Sequence, residues 1–360
     1  MSWVLAFVGF ALLVILHELG HFSVAKWVGM RVEKFSLFFP PTLARRQVGE
    51  TEYAIGAIPL GGYVRISGMN PSEDLPDEVR DRAYHAQPVW KRIAVIAAGP
   101  AVNLIVALLL LFVFFWAIGG ETTTGRIGVI QKGYPAAGVL EPGDRILAVD
   151  GVRGSPRELS EQIARHKCSE RPPTDGCEAA QPVTLMVERD GTRVEEKIAP
   201  IYDPDEKRTR LGFSYAFDGP RETLPLGEAA TTAADRFWFI TEQTVTFPAR
   251  LFDAEDRKEI SGVVGSYEFT RQTILTEFAN VIGILAVISL SLAIINLFPF
   301  LPLDGGHIFW AIAEKVRGRP IPIWVMERAG IVGFMLVIGL FVLGLTNDID
   351  RLQNEGFRVR

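Results

Sequence analysis

The chain has 360 residues, 48% of them hydrophobic and 22% charged, and its mean hydropathy is +0.21. The charges lie outside a few long apolar runs, which excludes a wholly soluble protein and suits a membrane protein carrying a soluble domain. A formal net charge of -5, with no basic stripe interleaved with aromatics, excludes a nucleic-acid partner.

Residues 3–25 form the first apolar run, and residues 93–118, 278–300 and 323–345 form three more. As helices rising about 1.5 Å per residue, each can cross a hydrocarbon core of about 30 Å. In the last run, Glu327 and Arg328 must sit at the interface, and the uninterrupted apolar part begins at Ala329. A signal peptide is the alternative for residues 3–16, but no basic n-region or small-residue cleavage site accompanies them, so the segment is read as retained.

The first run contains His17-Glu18-Leu19-Gly20-His21. Ionisable side chains within a membrane span cost several kcal/mol unless they face an enclosed, hydrated interior. His17 and His21, four residues apart, project from one helix face and can direct two imidazole nitrogens at one Zn²⁺. Glu18 sits beside them, placed to act as general base on an attacking water and then as the acid that protonates the leaving amine. A polar helix cap at the membrane interface is the bland alternative; it would leave intramembrane charge uncompensated.

Between the first two runs, residues 53–66 show short apolar, strand-like stretches around a glycine-rich turn that includes Gly61 and Gly62. After the second run comes a β-rich segment. Ile127, Gly128, Val129 and Ile130 form a candidate strand, Pro142-Gly143-Asp144 a turn, residues 145–149 a strand and Asp150-Gly151 a hairpin turn. Residues 183–187 and 193–198 alternate as two more strands, whereas residues 157–182 have the composition of a loop insertion. That insertion holds Cys168 and Cys177, the only cysteines; a disulfide and a pair of free thiols both fit the sequence. Residues 226–252 mix Phe237, Trp238, Phe239, Phe247 and Phe252 with charges, as an interfacial helix does.

The third run ends in Asn296-Leu-Phe-Pro299-Phe-Leu-Pro302-Leu-Asp304-Gly305-Gly306. Its prolines and glycines break helical hydrogen bonding, and such backbone persists at membrane depth only when buried in protein or lining a polar cavity. Asp304 is therefore the candidate third ligand, and a simple turn at a helix end is the alternative.

Taken together, the motif of His17 to His21 and the segment from Asn296 to Gly306 resemble the paired signatures of the site-2 protease family, the intramembrane zinc metalloproteases of peptidase family M50. Ala98-Gly99-Pro100-Ala101-Val102-Asn103 resembles that family's Gly-Pro-x-x-Asn element, and the β-rich segment resembles one PDZ domain, where many bacterial members carry two. The resemblance implies that one Zn²⁺ per chain is held by His17, His21 and Asp304, and that Glu18 is the catalytic acid and base. Asn296 and Asn103 would position an unwound substrate or polarise its carbonyl; satisfying a freed backbone group between helices is the alternative for both. Residues 53–66 resemble the family's membrane-reentrant β-loop, whose edge, with Gly61 and Gly62, would align substrate by strand addition; a purely structural hairpin is the alternative. Ile127 to Ile130 would floor a groove for peptide C-termini, or the domain would act only as a size filter. Ser261-Gly262-Val263-Val264-Gly265 resembles the family's Ser-Gly-Pro-x-Gly element, with Val263 in place of proline. Implied substrates are single-span membrane proteins such as anti-sigma factors, and signal-peptide remnants.

Orientation follows from Lys and Arg. The loop joining the first two runs holds Lys26, Arg31, Lys34, Arg45, Arg46, Arg65, Arg80, Arg82, Lys91 and Arg92, and that joining the last two holds Lys315, Arg317 and Arg319. Both loops should be cytoplasmic, with the metal motif toward the cytosolic half of a bacterial inner membrane and both termini and the β-rich domain outside.

The expected architecture is a polytopic α-helical membrane protein of about four transmembrane helices, with a membrane-associated β-loop and an inserted extracytoplasmic PDZ domain. Its expected divisions are an N-terminal membrane core (1–121), the PDZ-like domain (122–203), a membrane-associated region (204–277) and a C-terminal membrane core (278–360). A silent scaffold with structural zinc would make Glu18 dispensable. A metal transporter would need polar residues continuing through several spans, whereas here they cluster at one place.

Overall fold

In the computed structural model, residues 2–70, 73–204, 206–251 and 279–354 are described. Two compact units are present: Met1–Ala117 with Leu224–Val359, and Ile118–Thr223. The element resembling Ser-Gly-Pro-x-Gly, Ser261 to Gly265, lies outside the described residues.

The first unit is built on apolar helices. Helix α1 (Ser2–Trp27) is apolar around most of its circumference, so it gains by burial on every side rather than on one face. The chain then reverses through two strands, β1 (Val32–Val48) and β2 (Thr51–Ile66). Their tight turn is at Gly49-Glu50, where Gly49 takes a φ of +60°, the left-handed conformation a two-residue hairpin requires. Gly61 and Gly62 are thus inside β2, not at the reversal. The first part of β1 pairs with both arms of β2: Val32 is opposite Ile66 and Leu37 opposite Gly62, while Lys34 to Leu37 also match Glu52 to Ile55. One edge of the Gly62-to-Ile66 arm is therefore satisfied by β1.

A short helix, α2 (Asp77–Arg80), precedes α3 (Val89–Val113), which continues through a π-helical turn to Ile118. Residues 157–164, inside the stretch that reads as loop, are helical. Past that unit, α5 (Leu226–Arg250) buries Ala229, Ala233 and Ile240. Ala233 and Ile240 pack in clusters with Ala107 and Leu111 of α3 and with Ala286, Leu290 and Ile294 of α6 (Asn280–Asn296), so the helix expected at an interface lies along the apolar helices. Helix α6 has 17 residues and stops at Asn296, short of the expected residue 300, because Pro299 and Pro302 cannot continue it. A turn leads to α7 (Asp304–Arg317), followed by α8 (Ile323–Asn354), which runs unbroken through Glu327 and Arg328. Among the described residues, three helices are long and apolar enough to cross a membrane: Phe7–Trp27, Val89–Ile118 and Trp324–Asp350. Arg92, 7% exposed, makes a two-pronged ion pair from α3 to Glu314 of α7 at 3.0 and 2.8 Å, fixing the helix that Asp304 begins.

The second unit has a soluble-type core. Strands β5 (Arg145–Val149), β6 (Val183–Arg189) and β7 (Thr192–Ile198) form an antiparallel sheet, and their inward residues Ile146, Val149, Leu185 and Val187 are at most 4% exposed. Helix α4 (Pro156–Ala164) caps this core with Leu159 and Ile163. Its start signal is local: Ser155 and Glu158 form a reciprocal capping box with Pro156 at the first turn. Smaller pairings complete the unit: β3 (Gly120–Glu121) with β11 (Arg221–Glu222), β4 (Ile127–Ile130) with β10 (Phe213–Tyr215), and β8 (Ile201–Asp203) with β9 (Arg208–Arg210). Cys168 and Cys177 are joined in a disulfide, their Cα atoms 5.8 Å apart.

Candidate metal centre

Helix α1 supplies His17 and His21, 6% and 7% exposed. The neighbouring helix is shaped to receive them. Gly20 faces the backbone of α3, where a Cβ would come 2.6 Å from the Ala98 carbonyl oxygen, and at Gly99 a Cβ would collide with the His21 ring. Glycine at these positions lets the two helices approach closely enough for the Val95 carbonyl to accept a hydrogen bond from His21 Nδ1 at 2.8 Å. Asn103, fully buried, places its amide nitrogen 3.3 Å from His17 Nδ1.

Asp304, at the first turn of α7, brings the third group. Its Oδ2 lies 3.2 Å from His17 Nε2 and 3.4 Å from His21 Nε2, and the two Nε2 atoms are 3.2 Å apart. That triangle has the dimensions of one face of a tetrahedral site: donors about 2.0–2.1 Å from a zinc ion are separated by about 3.3–3.4 Å. The electrostatics point the same way. A carbonyl oxygen only accepts, so the Val95 bond puts the proton of a neutral His21 on Nδ1 and turns the lone pair of Nε2 toward the cluster. Asp304 Oδ2 is buried there without a hydrogen-bond donor. The His21 lone pair and the carboxylate oxygen, with His17 Nε2 3.2 Å from each, repel one another in an apolar surrounding unless a proton or a metal cation lies among them. The residues present therefore fit a divalent metal.

These atoms open on a cavity of about 380 Å³. Val64 of β2 and Glu18 both line it, and Glu18 is half-buried. Gly62 lies against it, since a Cβ there would come 3.1 Å from Glu18 Cγ. Of the other residues singled out by sequence, Gly61, Gly62 and Asn296 line the cavity, whereas Asn103 sits behind His17, outside that lining. Phe39 and Tyr63, stacked with ring centroids 6.1 Å apart, form an aromatic part of the wall that the sequence did not announce. Arg92 had counted only as one cytoplasmic charge; its place at the margin of an apolar run was the available signal for a buried partner such as Glu314.

Ile127, Gly128, Val129 and Ile130 lie elsewhere, in the second unit. Phe213 is opposite Ile130 and Tyr215 opposite Ile127, and Ile127 also exchanges backbone bonds with Gly143 and Asp144. The far edge of β10, by contrast, has no strand beside it among the described residues.

Sequence comparison places this geometry among known proteins. The profile of peptidase family M50 matches residues 5–340. A provisionally named zinc metalloprotease of Brucella suis is 31% identical over 364 residues, 93% of this chain and 92% of the relative. Similar proteins with the same provisional name occur in Rhizobium meliloti, at 31% identity over 95% of this chain and 94% of the relative, and in a Nostoc species, at 28% over 99% and 98%. Among solved structures, the PDZ domain of an SdrC-like protein from Listeria monocytogenes is similar over 27% of this chain and 95% of that domain, at 20% identity and a TM-score of 0.21. The protein is thus a metalloendopeptidase with membrane-type helices. It belongs to peptidase family M50.

Proposed function

We propose that this chain hydrolyses peptide bonds inside the transmembrane segments of other membrane proteins, with His17, His21 and Asp304 holding one zinc ion and Glu18 transferring the proton. The observation that carries the reading is the convergence of three donor atoms from α1 and α7 within 3.4 Å of one another, on the wall of a cavity lined by apolar helices and by strands β1 and β2. Zinc in such a site polarises a carbonyl and lowers the pKa of a water to about 7.

The chain's own residues supply the rest. Glu18, on the cavity wall beside Val64, would take the proton of the attacking water and return it to the leaving nitrogen. The arm from Gly62 to Ile66 has its inner edge on β1 and borders the cavity, so an extended substrate would add beside it as a further strand. Asn296 would donate its side-chain amide to the substrate carbonyl from the end of α6. A helical substrate must unwind first, because its carbonyls are engaged in its own hydrogen bonds. Natural substrates would be single-span proteins, such as anti-sigma factors, and signal-peptide remnants.

The protein would be a multi-pass protein of the bacterial inner membrane, α6 serving as the fourth span. Trp27, Trp90 and Trp324 are 81%, 59% and 58% exposed at the ends of α1, α3 and α8 assigned to the cytosol, a distribution that supports an interfacial belt on that side. The second unit would be an extracytoplasmic PDZ domain. Its peptide-adding strand would be β10 rather than β4, since β10 has the open edge.

The test uses purified full-length Glu18→Gln protein and a model transmembrane substrate. Cleavage should fall by about 10²–10⁴-fold with metal still bound, and trapped substrates should co-purify for identification by mass spectrometry. Full cleavage by the metal-loaded variant would contradict the mechanism.

A further inference from the structure

Helix α3 meets α1 with a stripe of three residues spaced by four, Val95, Gly99 and Asn103, and each touches a histidine of the candidate metal centre. Val95 fixes His21 through its carbonyl. Asn103 is 0% exposed and its own backbone carbonyl accepts a hydrogen bond from Ser289 Oγ of α6 at 2.9 Å, so its position is tied to two helices besides α1. Its side chain reaches only toward His17, and its Oδ1 is buried with no hydrogen-bond partner.

The two ends of a carboxamide are interchangeable assignments, and their chemistry here differs. With the nitrogen toward His17, the amide donates to Nδ1, and the ring proton must sit on Nε2, pointing at His21 Nε2 and Asp304 Oδ2, each 3.2 Å away. With the oxygen toward His17, Oδ1 accepts the Nδ1 proton, and the Nε2 lone pair faces the cluster. One amide group stays unpaired in either orientation, so the requirement of the cluster decides between them. The second orientation also repeats what Val95 does for His21.

We infer that Asn103 is a positioning residue for His17, its side-chain oxygen accepting the Nδ1 proton and holding the Nε2 lone pair toward His21 and Asp304. The inference rests on the metal-binding reading of this site. It gives Asn103 no substrate contact, in keeping with its complete burial outside the cavity lining. Such outer partners fix the tautomer and ring orientation of a metal-binding histidine, and losing one typically weakens metal affinity about 10–100-fold.

The experiment measures zinc affinity of the full-length protein in detergent by competition with a chromophoric chelator, for the parent, Asn103→Asp and Asn103→Leu. Aspartate keeps an acceptor without a donor; leucine keeps the approximate volume without either. Asn103→Asp should hold zinc within a few-fold of the parent, and Asn103→Leu about 10–100-fold more weakly. At saturating zinc, the KM of Asn103→Leu for a model transmembrane substrate should equal the parent's. Equal zinc affinity of the leucine variant and the parent would overturn the inference, as would a raised KM at full zinc occupancy. Should the leucine variant not fold, the aspartate variant decides alone: loss of zinc affinity by tenfold or more overturns the role. A parent protein that binds no zinc would instead contradict the metal reading itself.

Discussion

Asp144 in the second unit and Asp304 in the first are both carboxylates withdrawn from water, and their surroundings differ. Asp144 is 2% exposed and fully answered: Arg189 donates to both its oxygens at 2.8 and 2.6 Å, and the Glu141 N–H donates at 2.9 Å. The guanidinium holds its carboxyl below the usual carboxylate range. Asp304 Oδ2 instead faces two imidazole nitrogens and no donor. One unit closes its electrostatics with its own side chains, whereas the other leaves a place for a cation. Burial of a polar group thus marks a fold support in the first case and a candidate reaction site in the second, and the partners make the distinction.

Substituting each aspartate separates these roles, and the largest effect belongs to the metal centre. Asp304→Asn should lose bound metal and, because a metal ion supplies several kcal/mol of transition-state stabilisation, lower cleavage by on the order of 10³-fold or more. Hydrogen exchange of β5 to β7 should be unchanged. If the variant kept both metal and activity, Asp304 would be no more than the turn residue that Leu-Asp-Gly-Gly otherwise suggests. Asp144→Asn should do the reverse. It weakens a buried, charge-assisted network by about 1–3 kcal/mol, visible as faster hydrogen exchange in β5 and β6, while metal content and cleavage of a model substrate stay at parental levels.

How much of this was legible depended on whether a residue broke its local pattern. His17, Glu18 and His21 stand out because they interrupt an apolar run, and Asp304 because Pro299 and Pro302 break the helix just before it; Gly305 and Gly306, read as helix breakers, instead lie in the first turn of α7. The part played by Val95 left no trace, since a backbone carbonyl is common to every residue and only the closeness of Gly20 to α3 makes it available. Strand β1 was hidden by Pro40, Pro41, Arg45 and Arg46, which interrupt its alternation and are exposed in the structure. Helix α4 opens on the full start signal Ser155-Pro156-Arg157-Glu158, but Pro172, Pro173, Gly176 and Pro182 give residues 157–182 as a whole the composition of a loop. The course of α5 beside α3 and α6 depends on tertiary contacts at Ala233 and Ile240 that a mixed, charged sequence does not advertise.

The smallest effect concerns the hairpin turn. Arg82 and Lys26 hold the carboxyl of Glu50 down from 4.5 to about 2. A folded-state value below the ordinary one means that stability is contributed above pH 4.5 and lost as pH falls toward 2. Because the pair is partly exposed, solvent screening limits the contribution to about 1 kcal/mol or less. The melting temperature of Glu50→Gln should therefore lie slightly below the parent's at pH 7, and the difference should shrink at pH 3. A difference constant across that range would mean that the charge is not the stabilising feature.

The central claim is that His17 and His21 on α1 and Asp304 on α7 together hold one zinc ion. Zinc X-ray absorption of the active, full-length protein tests it most directly: the account predicts one zinc per chain, nitrogen and oxygen ligands with the scattering signature of two imidazoles, and loss of that signal in a His17→Ala, His21→Ala double variant. Active protein without zinc, or with zinc held by sulfur, would contradict it.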